Sequence, residues 1–310
     1  MKTLFIVFAM IYSALLPAAS LNNMVVFGDS LSDNGNLYEY MKHQLPVSPP
    51  YYKGRFSNGP IWVELLIQSY YPTHSNDHLL DYAYGGAGVL EGDDYDEMLF
   101  TLHREIDTYF LAHQDKADEK SLFVVWIGSN NYLGAPEEAD KTVDDVIYGL
   151  ELGLRRLADQ GAKYILVVNV PDLGRTPAAV DFEAVDRLTY ISKRHNDLLQ
   201  KKVEKLKTDY PAIQWIYFDI NLVFDDMINE PGRFGFTNTT NTCYEDTLSS
   251  DESSRKSLLH MVSRISRSGS KKACDGFLFF DPVHPTAPAH VLMAYRTKLM
   301  LDKMGVDFHE

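Results

Sequence analysis

The chain has 310 residues, 45% of them hydrophobic, enough to bury a full core in one or two domains. Its formal charge is −14, which argues against nucleic acid as a partner, because phosphate backbones are bound by basic surfaces. The same charge argues against adsorption to an acidic membrane by electrostatics alone, and it reads most simply as a solubility feature.

At the N-terminus, Lys2 precedes an apolar run from Leu4 to Leu16, and Pro17-Ala18-Ala19-Ser20 supplies small residues for cleavage. The pattern predicts a secretory signal peptide over residues 1–20, since the run is shorter than the roughly 20 residues a bilayer span needs. An exported protein, extracellular or periplasmic, is expected. Short apolar runs at 24–27, 79–82, 122–127, 164–168 and 213–218 read as buried strands separated by helical patterns. Such alternation predicts one α/β domain over residues 21–310: a flavodoxin-like three-layer α/β/α fold with about five parallel strands.

The clearest helix is expected at 143–160, where Val143, Ile147, Leu150, Leu154 and Leu157 share one face. Thr142 with Asp145 suggests a capping-box start, and Gly161 a C-terminal stop. A second helix is expected at 184–207, and a last one from near Pro285 through Val291, Leu292, Tyr295 and Leu299. Residues 237–275 stand apart. Rich in Ser, Thr, Asn, Lys and Arg, they read as an exposed excursion, with Leu258, Leu259, Val262 and Ile265 spaced for a short amphipathic helix. The two cysteines, Cys243 and Cys274, are expected to close this surface loop as a disulfide, worth roughly 3–4 kcal/mol by loop-closure entropy.

In an open α/β sheet, ligands bind beyond the carboxyl ends of the strands. Three turns fall there: Gly28-Asp29-Ser30, Gly85-Gly86-Ala87-Gly88 and Gly128-Ser129-Asn130-Asn131. Parallel strands bring all three to one edge. A serine hydroxyl becomes a useful nucleophile only when a base takes its proton and a third group orients that base. Ser30 lies on a sharp strand-to-loop turn, and Asp281-Pro282-Val283-His284 offers a histidine with an aspartate three residues upstream. Ser30, His284 and Asp281 are therefore expected to converge as the site of a serine esterase.

Plainer readings fit the other conspicuous residues. His43, His74, His78, His103, His113, His195, His260, His290 and His309 lack a comparable setting and read as surface or packing residues. His74 and His78 sit four apart, but Pro72 and Asn76 make theirs a poor metal loop, so no metal is expected. The acidic run Asp93, Asp94, Asp96 and Glu97 reads as a solvated helix start. The glycine turn at 85–88 lacks the Lys-Ser/Thr of a nucleotide loop, and no cofactor is expected. Phe277-Leu278-Phe279-Phe280 is expected to pack beside the histidine loop, with part of it a candidate wall for an acyl pocket.

Ordered blocks across the chain resemble the GDSL, or SGNH, hydrolase family. They are the run from Phe27 to Asn36 (FGDSLSDNGN), that from Gly54 to Trp62 (GRFSNGPIW), and that from Tyr82 to Gly88 (YAYGGAG). Gly128-Ser129-Asn130-Asn131, Asn169-Val170-Pro171-Asp172-Leu173-Gly174 and the 281–286 block complete the set. Within the family the chain is most similar to the secreted bacterial lysophospholipase A and glycerophospholipid:cholesterol acyltransferase group. The resemblance implies Ser30 as nucleophile, His284 as general base and Asp281 as its orienting carboxylate. It implies oxyanion donors at the Ser30 N–H, the Gly86 N–H and the Asn130 side-chain amide. It also implies a lipid substrate, lysophospholipid above others, with transient membrane-surface contact, and an activating protease acting on the 243–274 loop; that loop ends seven residues before Asp281 and is expected to cover the site as a lid. Two positions depart from the family pattern: Asn131 where the third block usually has Asp, and Asp81 where the second usually has Asn. The rival expectations are a carbohydrate O-acetylesterase and a non-catalytic secreted lipid-binding or adhesin module.

Overall fold

The computed structural model describes residues 19–90, 100–244 and 274–308. Most of the expected signal peptide, the acidic run at 93–97 and the 258–265 helix lie outside the described residues, as does the interior of the loop assigned to a lid and protease.

The strands, in chain order, are β1 (Ala19–Leu21), β2 (Asn23–Gly28), β3 (Leu79–Asp81), β4 (Ser121–Trp126), β5 (Tyr164–Val168), β6 (Gln214–Phe218), β7 (Asn238–Thr242), β8 (Phe277–Phe279) and β9 (Val306–Phe308). The central sheet runs β3-β2-β4-β5-β6, all parallel, with Val26 opposite Asp81 on one side and Val124 on the other. The five predicted strands match it to within a residue or two at each end. Because the chain first winds from β2 to β3 and then back past β2 to β4, the sheet has a topological switch point between β2 and β4.

Side chains of a strand alternate between faces, so each strand feeds two cores. Val25, Phe27, Phe123, Val125, Ile165 and Val167 face a layer built on α3 (Leu102–Ala112), α4 (Ala139–Asp159) and α6 (Val185–Asp209), with the short α1 (Asn36–Tyr40) and α5 (Pro177–Asp181) packed into it through Leu37, Ala178 and Ala179. Met24, Val26, Leu122, Val124, Leu166 and Ile216 face the opposite layer, built on α2 (Trp62–Tyr70), α7 (Ile220–Asn229) and α8 (Ala287–Lys303). Both faces are covered, and the strands accordingly read as continuous apolar runs.

Two expectations are corrected. The α4 helix starts a turn before Val143, and Thr142 lies within it, its hydroxyl donating to the Glu138 carbonyl rather than capping. The start of the 237–275 segment is partly exposed, as at Thr240 and Asn241, but it is an ordered strand rather than a loop: β7 pairs with β8, and Cys243 and Tyr244 are buried, Tyr244 stacked on Phe280. Ser/Thr/Asn-rich composition concealed a strand because its register comes from β8, not from its own apolar pattern. Cys243 and Cys274 form the expected disulfide, Cα to Cα 5.1 Å. Finally, β1 pairs in parallel with β9 and begins at Ala19, so the end of the expected signal region joins a small second sheet. No helix among the described residues is long and apolar enough to cross a membrane.

Candidate active site

The turn holding Ser30 follows β2 directly. Asp29 shapes it: its carbonyl accepts the N–H groups of Ser32 and Asp33, and its carboxyl accepts that of Leu31. Gly28 precedes it at a point of close approach, where a Cβ would stand 2.9 Å from the Trp126 carbonyl. The histidine loop runs between β8 and α8 and is held from outside by the 54–62 block. Ser57 Oγ donates to the Pro285 carbonyl, the Ala287 N–H donates to Asn58 Oδ1, and the Phe56 ring lies 5.1 Å from the His284 ring.

These two loops meet. Ser30 Oγ stands 2.8 Å from His284 Nε2, and His284 Nδ1 stands 2.6 Å from Asp281 Oδ2. The carboxylate fixes the tautomer: Nδ1 donates to Asp281, leaving Nε2 to accept from the serine hydroxyl. Asp281 Oδ1 takes the backbone N–H of Val283 and of His284, and Oδ2 also accepts the Tyr51 hydroxyl at 2.6 Å. Burial by itself would raise the Asp281 carboxyl, but its electrostatic interaction with the adjacent His284 ring and these hydrogen bonds outweigh it and hold Asp281 below the usual carboxylate range.

Asn130 faces the same cleft as Ser30 and His284. Its amide donates one hydrogen to the Ala87 carbonyl at 2.7 Å, tying the Gly128 turn to the Gly86 turn and leaving a second hydrogen. Gly86 itself is not among the cleft-lining residues, but it takes the left-handed φ of 79° that its turn requires. Among the described residues no protein acceptor takes the backbone N–H of Ser30 or of Gly86. The two departures from the family pattern are both used: Asn131 Oδ1 accepts the Val89 N–H, and Asp81 accepts those of Ala83 and Asn34.

The walls of the cleft are largely apolar: Leu31, Leu133, Leu173, Phe224, Ile228 and Phe279. Phe279 thus joins the pocket, while Phe280 packs edge-on to Tyr51 as core.

Sequence reasoning missed the acidic bed beneath the serine turn. Glu105, on the buried face of α3, accepts the Gly28 N–H at 2.8 Å through Oε2, while its buried Oε1 has no hydrogen-bond partner among the described residues. Asp33 accepts the N–H groups of Gly35, Asn36, Leu37 and Gly85. Burial pushes Asp29 up to about 7 and Asp33 to about 6, with backbone N–H donors opposing it in each. Asp81 and Glu105 are driven well above the usual range, again by burial first, with neighbouring carboxyls adding to it. A signal for Glu105 existed: it is a carboxyl inside the stripe Leu102, Ile106 and Tyr109. Two of the histidines read as packing, His195 and His290, are fully buried, and burial lowers each to about 3.

A five-stranded parallel sheet covered on both faces, with these loops at its carboxyl edge, is an SGNH-type α/β fold. A family model described as GDSL-like lipase/acylhydrolase matches residues 24–297. The chain belongs to that family and is a carboxylic ester hydrolase. It is similar to phosphatidylcholine-sterol acyltransferase of Aeromonas hydrophila, 30% identical over 304 residues and covering 88% of both chains. It is 26% identical over 279 residues to the secreted effector protein SseJ of Salmonella typhimurium, covering 87% of this chain and 61% of that one. Among solved structures, Est24, a carbohydrate acetylesterase from Sinorhizobium meliloti, aligns with a TM-score of 0.50 at 13% identity, over 91% of this chain and 99% of that one, a likeness of fold alone.

Proposed function

We propose that this exported enzyme hydrolyses fatty acyl esters of lysophospholipids through an acyl-enzyme on Ser30, and transfers the acyl group to an alcohol when one replaces water. The observation that carries the reading is the unbroken Ser30–His284–Asp281 hydrogen-bond chain at the edge of an apolar cleft. The similarity to a phosphatidylcholine-sterol acyltransferase supports a phospholipid ester as acyl donor, and the secreted effector supports export from the cell.

The steps follow from the geometry. His284 Nε2 takes the hydroxyl proton as Ser30 Oγ bonds to the ester carbonyl carbon, and Asp281 stabilises the imidazolium. The developing oxyanion is held by the N–H groups of Ser30 and Gly86 and the remaining Asn130 hydrogen, donors that each contribute typically about 10²–10³ in rate. The tetrahedral adduct collapses, its carbon–oxygen bond to the glycerol breaks, and Nε2 returns the proton to the departing alkoxide. Water, or an acceptor alcohol, then repeats the sequence and frees Ser30. The apolar walls hold the acyl chain. An acetyl group would cover little of those apolar walls, which favours the long-chain reading over a sugar deacetylase. Transient membrane-surface contact and cleavage of the 243–274 loop belong to the same proposal and rest on the sequence.

Ser30→Ala and His284→Ala are expected to lower kcat by about 10⁶ with folding retained, measured as free fatty acid released from a lysophospholipid. A serine variant that still turns over the lysolipid at the wild-type rate would overturn the nucleophile. Wild-type protein that cleaves only acetylated sugars would overturn the substrate class.

A further inference from the structure

The cleft beside Ser30 is not uniform. Besides its apolar walls, the cleft is lined by Asp172, Arg175 and Thr176, which lie close together in the chain. We propose that Arg175 recognises the headgroup, its guanidinium binding the phosphate of a zwitterionic glycerophospholipid whose acyl ester lies at Ser30. The proposal rests on the lysophospholipid reading and names what selects among lipids bearing the same acyl chain.

Arg175 ends the single 3-10 turn Leu173–Arg175 and is exposed at the rim. Its Nη2 donates to the Asn229 side-chain carbonyl at 3.3 Å, a long contact to a neutral group, and among the described residues it makes no ion pair. Asp172, which also lines the cleft, and Asp225 nearby each receive hydrogen bonds on one oxygen. Asp172 Oδ1 accepts from the Gly174 N–H and the Thr189 hydroxyl, and Asp225 Oδ2 accepts from the Asn221 amide. Burial raises the Asp225 carboxyl first of all; the nearby Arg175 charge lowers it and that of Asp172 raises it, so the three groups lie within electrostatic reach of one another. Arg175 thus lines the cleft with one carboxylate, Asp172, and has a second, Asp225, nearby.

That arrangement discriminates by charge pattern. A neutral glyceride gains nothing from the guanidinium. A free anion meets two carboxylates as well as one arginine. A headgroup carrying both signs places its phosphate on the planar, two-pronged guanidinium and its ammonium toward Asp172 and Asp225.

The test compares kcat/KM for lysophosphatidylcholine, lysophosphatidylglycerol and monoacylglycerol of one acyl chain, in micelles of one neutral detergent, for wild type, Arg175→Ala and Arg175→Lys. Wild type is expected to prefer the choline lipid. The ratio of lysophosphatidylcholine to monoacylglycerol should fall about tenfold in Arg175→Ala and recover in part in Arg175→Lys. A ratio is insensitive to how much protein folds, because lost protein scales both rates alike. The same ratio in Arg175→Ala as in wild type overturns the proposal, and so does equal use of the glycerol and choline headgroups. Inorganic phosphate competing as well as glycerophosphocholine would mark a free-anion site and overturn the headgroup assignment. Wild type that cleaves none of the three lipids overturns the lipid reading itself.

Discussion

Asp281 carries more hydrogen bonds than a histidine-orienting carboxylate strictly needs, and one comes from a residue no motif marks. Tyr51 donates to the same oxygen, Oδ2, that receives the His284 ring proton. Two donors on one oxygen disperse its charge and fix its position, which fixes the plane of the imidazole. Tyr51→Phe is expected to lower kcat about tenfold, the usual scale for a hydrogen bond to a charged group, with KM nearly unchanged. Steady-state kinetics on the lysolipid would check this, and an unaltered kcat would remove Tyr51 from the positioning network. The Ser30, His284 and Asp281 trio was legible because each sits in a local block with turn chemistry of its own. Tyr51 was not, since its neighbours Pro49 and Pro50 mark only a turn and its partner lies 230 residues away. Glu105 left a local mark, a carboxyl in an apolar stripe, but its partner Gly28, 77 residues away, could not be read from that mark.

At the scale of elements, the disulfide and the β7–β8 pair act together. Cys243 follows β7 and Cys274 precedes β8, so the covalent link closes the loop at the base of a strand pair that leads straight into Asp281 and His284. Replacing both cysteines by serine is expected to cost roughly 3–4 kcal/mol by loop-closure entropy, measured by urea unfolding of the two proteins under non-reducing conditions. Identical midpoints and slopes would show that β7 and β8 hold their register without the bond. The strands of the central sheet were readable as apolar runs because both faces are buried. β7 was not, because the exposed Thr240 and Asn241 hide it.

Across the whole molecule, buried ionisable groups set how stability follows pH. Asp29, Asp33, Asp81 and Glu105 have folded-state pKa values raised by burial, Asp29 to about 7 and Asp33 to about 6. Through that range the folded protein keeps protons the unfolded chain has released, so stability falls as pH rises from about 4 to 7. His195 and His290, lowered to about 3, act oppositely: between pH 6.5 and 3 the unfolded chain binds protons the folded one refuses. Four carboxyls outnumber two histidines, so the melting temperature is expected to be higher near pH 5 than near pH 8. Glu105→Gln keeps an acceptor for Gly28 and loses the ionisation, and should flatten that slope in a thermal melt series. A melting temperature that climbs steadily from pH 5 to 8 would mean these carboxyls are ionised in the fold.

Hydrophobic runs, glycine turns and the serine and histidine blocks are local features, and the order of amino acids alone determined the sheet, its edge and the residues gathered there. Tertiary structure decided what no window of neighbours encodes: the tyrosine on Asp281, the carboxyl under Gly28, the strand in a polar segment, the mixed-charge rim of the cleft. Local conformation follows from propensity and periodicity, whereas desolvation, hydrogen-bond partners and pocket shape depend on which distant side chains share a volume once the chain has folded.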